Sequence, residues 1–155
     1  TNYSLRTPGR LNLGASAFLG KYGFITGSLE FTDYSSAELR SSDFIVDGDN
    51  AAIENNYTSV TNVRLGGELR LEEFRFRLGY AALNNPFEAG IRPTFVESYS
   101  IGAGYKTRDF YVDLGVISSA SKRLYSPYTL IDNSEPVIDS RVNYTRVVAT
   151  VGFTF

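Results

Sequence analysis

Apolar residues recur at every second position in seven separate segments of the chain. In Arg10 to Leu19 they are Leu11, Leu13, Ala15, Ala17 and Leu19. Phe24 to Tyr34 carries Ile25, Gly27, Leu29 and Phe31, and Ser59 to Leu71 carries Val63, Leu65, Gly67, Leu69 and Leu71. Phe74 to Leu83 shows Phe74, Phe76, Leu78, Tyr80 and Ala82. Glu97 to Lys106 shows Tyr99, Ile101, Ala103 and Tyr105, and Phe110 to Ser119 shows Phe110, Val112, Leu114 and Val116. The last segment, Arg141 to Phe155, shows Val147, Ala149, Val151, Phe153 and Phe155. Successive side chains of a strand point to opposite faces, so each set is one surface. The pattern predicts an all-β chain of about seven strands and no long helix.

None of those positions is charged. The alternate positions hold Glu30, Arg64, Glu68, Arg70, Arg75, Arg77 and Asp113, together with Gly14, Gly66, Gly79, Gly102, Gly104, Gly115 and Gly152. Short connections lie near Gly20 to Gly23, at Glu72 and Glu73, and at Thr107 and Arg108. Long ones run from about Ser35 to Thr58, Asn84 to Val96 and Ala120 to Ser140. Short and long alternate, as in an antiparallel up-and-down sheet with tight turns at one end and long loops at the other. A two-residue turn at Glu72 and Glu73 would pair Leu71 with Phe74, Arg70 with Arg75 and Glu68 with Arg77. The Glu68–Arg77 pair attracts and the Arg70–Arg75 pair repels.

Alternation is equally the pattern of a soluble β-sandwich or lipocalin-like barrel. Three features favour a transmembrane barrel. Apolar residues fill every second position up to an aromatic end at Phe155, where soluble domains usually fray into polar residues. The loop lengths are asymmetric, as in outer-membrane barrels. Tyr22, Phe24, Phe74, Tyr105, Phe110 and Phe155 gather at the short-turn end, where an interfacial aromatic girdle would sit.

Composition narrows the chemistry. The 155 residues contain no cysteine or histidine, which removes disulfides, thiolate metal sites and the commonest general base. A net charge of −2 argues against nucleic acid as a partner. No run of about 18 apolar residues marks a membrane helix. No Gly-x-Ser-x-Gly elbow occurs, and the expectation is that the chain is not an enzyme and needs no cofactor or metal. The start at Thr1, without a methionine or a signal peptide, suggests a processed or excised piece.

Several candidate sites remain. Asp47-Gly48-Asp49-Asn50, within Asp43 to Glu54, could offer oxygens to calcium, but it lacks the full loop pattern and reads better as a solvated acidic loop. Pro86, Phe87, Ile91, Pro93 and Phe95, with Leu124, Tyr125, Pro127, Tyr128, Leu130 and Ile131, could meet a greasy substrate at the outer mouth or simply pack loop on loop. Arg64, Arg70, Arg75 and Arg77 could attract a carboxylate or phosphate, although a watery polar wall is the favoured reading. Paired Glu72 and Glu73 read as a solvated turn. Asn56 and Asn143 sit in Asn-Tyr-Thr sequons that matter little in a bacterial setting.

These residues carry a resemblance. Val151-Gly152-Phe153-Thr154-Phe155 resembles the terminal assembly signal of outer-membrane barrels. Thr7-Pro8-Gly9-Arg10-Leu11-Asn12-Leu13-Gly14, Glu30-Phe31-Thr32-Asp33-Tyr34, Leu65-Gly66-Gly67-Glu68, Arg77-Leu78-Gly79-Tyr80 and Ile101-Gly102-Ala103-Gly104-Tyr105 together resemble the FadL/TodX family, in the style of Bacteroidota members. The resemblance implies that residues 1–155 are the carboxy-terminal part of one 14-stranded barrel domain in a Gram-negative outer membrane. It implies passage of long-chain fatty acids or aromatic hydrocarbons, contact with outer-membrane lipid, and insertion by the barrel-assembly machinery. On this view Val147, Ala149, Val151, Phe153 and Phe155 form the insertion signal, and Glu30, Arg64, Glu68, Arg70, Arg75, Arg77 and Asp113 face the lumen. The family's amino-terminal hatch and first strands would be missing, so no substrate residue carries over. Seven strands is an odd count. Asn2 to Arg6 could end a further strand, and the open edge would need more chain or a partner. The alternatives are an outer-membrane scaffold or secretion-partner barrel without transport, and a soluble lipid-binding β-barrel.

Overall fold

The computed structural model describes residues 2–87, 95–125, 127–128, 130–131 and 136–153. They are mostly strand. A short strand, β1 (Tyr3–Arg6), precedes β2 (Arg10–Phe18) and β3 (Gly23–Asp33). Next come β4 (Glu38–Ser41) and one helix, α1 (Asp47–Asn56). The rest is β5 (Ser59–Leu71), β6 (Phe74–Leu83), β7 (Phe95–Lys106), β8 (Phe110–Tyr125) and β9 (Ile138–Phe153). Seven strands form one antiparallel sheet in the order β2-β3-β5-β6-β7-β8-β9. Apart from the step over β4 and α1, each strand pairs with the next one in sequence. The expected up-and-down meander is therefore present. The sheet does not close among the described residues: β2 and β9 are its edges.

Every strand predicted from periodicity is found. The boundaries of β5 and β6 agree to the residue, and the hairpin between them pairs Leu71 with Phe74, Arg70 with Arg75 and Glu68 with Arg77 as expected. Glu72 holds this tight turn with φ 54°, the left-handed conformation that two-residue hairpins require at a central position.

The long-loop end departs from expectation. Tyr3–Arg6 does not extend the wall. It pairs with β4 in a separate two-stranded ribbon, from Tyr3 opposite Ser41 to Arg6 opposite Glu38. The supposed acidic loop Asp43 to Glu54 is largely helix, with Asp47 and Asp49 in the first turn, where carboxylates favour the helix dipole. Asn50 ties α1 to β4: it accepts from Leu39 N at 2.8 Å and donates to Leu39 O at 2.9 Å. Strand β8 runs on to Tyr125 and β9 begins at Ile138, so both are longer than predicted.

Candidate functional site: the two faces of the sheet

The register sorts the chain into two surfaces. On one face a row runs Leu13–Leu29–Val63–Ala82 across β2, β3, β5 and β6. Nearer the short turns, Leu69 pairs with Phe76, Phe76 with Ala103, Ala103 with Leu114 and Leu114 with Ala149. This face is uncovered. Leu78, Ile101 and Val147 are 66%, 62% and 65% exposed. Among the described hydrophobic residues only Val60 and Ala82 are buried. A water-soluble sheet would bury such a face against a second layer. Here a shallow trough of about 1000 Å³ crosses its middle, floored by Ala15, Ala17, Gly27 and Gly67.

The apolar face is a band with limits. On β6 it runs from Phe74 to Ala82, within the roughly nine to eleven residues that a tilted strand needs to cross hydrocarbon. At the short-turn edge the aromatic rings form a chain. Phe74 lies 5.3 Å from Tyr105, and Tyr105 lies 6.0 Å from Phe110 (centroid to centroid). Phe110 then pairs with Phe153. Tyr80 and Tyr99, 5.1 Å apart, mark the other edge. There Tyr80 Oη donates to Glu97 Oε1 at 3.0 Å, and Glu97 stands on the same face opposite Ala82. Beyond that line the face turns polar, with Ser118 opposite Thr145 and Lys122 opposite Arg141. Lys122 Nζ reaches Asp139 Oδ2 at 3.5 Å.

One expected girdle member is misplaced. Phe24 pairs with Phe18 and Glu68, which puts it on the polar face. Its ring lies 5.6 Å beneath the Arg70 guanidinium. Its position beside Ile25 in the alternation already assigned it there, and closeness to the turn was the weaker signal. Val147, Ala149, Val151 and Phe153 line up along β9 against Val116, Leu114, Val112 and Phe110 on the apolar face. Phe155 lies outside the described residues.

The second face gathers Glu30, Arg64, Glu68, Arg70, Arg75, Arg77 and Asp113, most of them in two clusters. Toward the long loops, Glu30 accepts from Asn62 Nδ2 at 2.8 Å. It is flanked by Arg10 and Arg64, each 3.9 Å away. Toward the short turns, Glu68 receives Arg70 Nε on one oxygen at 2.6 Å and Arg77 Nε on the other at 2.7 Å. Arg77 also pairs with Asp113, two strands away. It spans β7 because Gly102 and Gly104 leave that strand without side chains at its level. A Cβ at Gly104 would collide with the Asp113 carboxylate. The Arg70–Arg75 repulsion is relieved by divergence. Arg70 turns to Glu68, while Arg75 Nη1 donates to Glu72 O at 2.6 Å and Phe74 O at 2.9 Å.

The polar face is the more crowded one although no second layer covers it among the described residues. Glu30 and Glu68 side chains keep only 13% and 11% exposure. Thr32, Asn62, Ser119 and Ser121 are buried. Sequence reasoning passed over Arg10, Asn62, Lys106 and Tyr111, all of which sit in the polar phase of their strands.

At the loop end, Phe87 stacks on Tyr57 with centroids 5.0 Å apart, and Thr58 N donates to Pro86 O at 2.8 Å. For Phe87, then, loop-on-loop packing is the correct reading. Tyr128, Leu130 and Ile131 are exposed. Ile91, Pro93 and the side chains of Leu124 and Tyr125 lie outside the described residues. No cluster of three or more carboxylates with metal-binding geometry occurs among the described residues, Asp47 and Asp49 included. No helix there is long and apolar enough to cross a membrane, which says nothing of a barrel. Compared with protein-family models, curated proteins and solved structures, the chain matches none of them.

Proposed function

We propose that this chain is part of the wall of an outer-membrane β-barrel that passes hydrophobic small molecules across the outer membrane of a Gram-negative bacterium. The observation that carries the proposal is the uncovered apolar band, bounded by aromatic rings and backed by a crowded, ion-paired face. Hydrocarbon is the solvent that such a band suits, and water in a lumen suits the network of Glu68, Arg77 and Asp113. The likeness to FadL/TodX motifs supports the transport half of the reading and the choice of apolar cargo.

Strand pairing constrains how the barrel closes. An unpaired edge in lipid costs several kcal/mol for each exposed backbone group, so the outer edges of β2 and β9 need partners. Seven alternating strands leave β2 and β9 running in the same direction. An all-antiparallel barrel therefore closes only with an odd number of further strands. Seven more, giving fourteen in all, satisfies that condition.

Uptake of a fluorescent alkyl or aromatic probe into liposomes holding the complete, folded protein tests the proposal. Faster entry than into empty liposomes is expected. Equal rates, with the protein shown to be folded and inserted, would remove the transport reading and leave a scaffold or secretion partner.

A further inference from the structure

A cavity of about 440 Å³ opens on the polar face at its short-turn end, and its walls are charged. Arg70, Arg75, Arg77 and Lys106 contribute four cations, against two carboxylates from Glu68 and Asp113. Both carboxylates are already occupied. Glu68 is shared between Arg70 and Arg77, and Asp113 is taken by Arg77. Arg75 and Lys106 are left with no carboxylate within ion-pair distance among the described residues.

These two cations are neighbours by construction. Arg75 stands opposite Gly104, and Lys106 is two residues further along the same strand. Lys106 N donates to Glu73 O at 2.8 Å, which fixes that end of β7 against the β5–β6 turn. The two backbone carbonyls that hold Arg75 Nη1 anchor the guanidinium and leave its other N–H groups free. Tyr111 lies opposite both Lys106 and Gly152. Its ring leans over Gly152, away from Lys106, so closely that a Cβ there would overlap it, and Tyr111 walls that side of the cavity. A held guanidinium and an unpaired ammonium line one cavity.

We infer that Arg75 and Lys106 form a binding site for a compact oxyanion, a phosphate or carboxylate group. The inference rests on the reading of this face as the wall of an aqueous lumen. A guanidinium and an ammonium together hold such a group by charge-assisted hydrogen bonds. The charged walls take the head of an anion and offer no bed for a hydrocarbon chain. This site is therefore distinct from any that holds the apolar part of a cargo. Two sources supply such a group: a free anion in solution and the head group of an amphipath.

Calorimetric titration of the complete protein in detergent with inorganic phosphate, and separately with a long-chain alkyl phosphate below its critical micelle concentration, separates these sources. Saturable binding of inorganic phosphate supports a free anion, and binding of the alkyl phosphate alone supports a head group. In either case Arg75→Gln or Lys106→Gln should weaken binding by about tenfold or more. Arg40→Gln in the loop ribbon should leave it unchanged. Binding of neither ligand, or binding indifferent to both substitutions, overturns the inference. A cysteine placed at Ser100 and treated with a membrane-impermeant maleimide in vesicles tests the lumen separately. Labelling without anion binding sinks this site alone, and failure to label sinks the lumen reading as well.

Discussion

The two faces of the seven-stranded sheet are made by the same strands, yet they are held together differently. On the apolar face, side chains touch along rungs and almost none is buried, so that face contributes little stability until something apolar covers it. On the polar face, few groups stand alone. Glu30, Asn62 and Arg64 form one network, and Glu68, Arg70, Arg77 and Asp113 form another. The lesson is that burial on this sheet runs opposite to hydrophobicity. Glu30 and Glu68 are more enclosed than the leucines, which is the arrangement expected under the proposed reading, with hydrocarbon outside the leucines.

The strongest way to break this comparison is to exchange the chemistry of the faces. Leu78 stands midway along the apolar band, and Leu78→Arg should destabilise the protein in lipid vesicles by about 2–4 kcal/mol. Ser100, half-buried on the next strand and the other face, should accept arginine at a smaller cost, about 1 kcal/mol. Equal costs in denaturant titrations of the two variants would show that the faces see the same solvent.

A smaller effect sharpens the polar side. Arg77→Leu leaves Asp113 without its partner and Glu68 with one cation instead of two. These groups are partly open to solvent, so the loss should be about 1–2 kcal/mol. The same titration should show it falling as salt rises, because the wild-type pairs are screened. A salt-independent loss would mean packing rather than charge.

The smallest effect belongs to neither face. Asp43 accepts from Asn2 N at 2.7 Å and from Ser42, and these bonds hold its carboxyl below the ordinary 3.8. A lowered value means that the contact contributes fully above 3.8 and is lost as acid titrates Asp43 through its folded value. Amide exchange at Asn2 and along the β1–β4 ribbon should accelerate below that range, with β5 to β8 unaffected. Simultaneous acceleration in the wall would show that ribbon and wall unfold as one.

Much of the wall was legible because alternation has one period and one meaning. Val63 to Leu71 and Phe74 to Ala82 gave strand, face and register together, since a slip of one residue would exchange the two faces. The loop ribbon was not legible. Tyr3–Arg6 and Glu38–Ser41 are too short to show a period. The helix at Asp47–Asn56 is rich in Asp, Asn and Gly, which favour turns over helix and hide the element. Beyond Val116 and Val147 the apolar face turns polar, so the hydrophobic signal stops while the strands continue. The seven polar candidates were assigned to their face from phase alone. Sequence could not reveal the reach of Arg77 to Asp113, because it depends on a strand of glycines lying between them. Lys106 and Tyr111 were overlooked because they lie at the end of β7 and beside the start of β8, where phase is hardest to read.

The central claim is that leucine and valine side chains of this sheet touch lipid. The chain has no tryptophan, so a single one can report on either face. In a tryptophan-free background of the complete protein, Leu78→Trp and Ser100→Trp would be reconstituted in vesicles of brominated lipid, and quenching compared. The account predicts strong quenching at position 78 and little at position 100. Equal quenching at both, or quenching only at position 100, would contradict it.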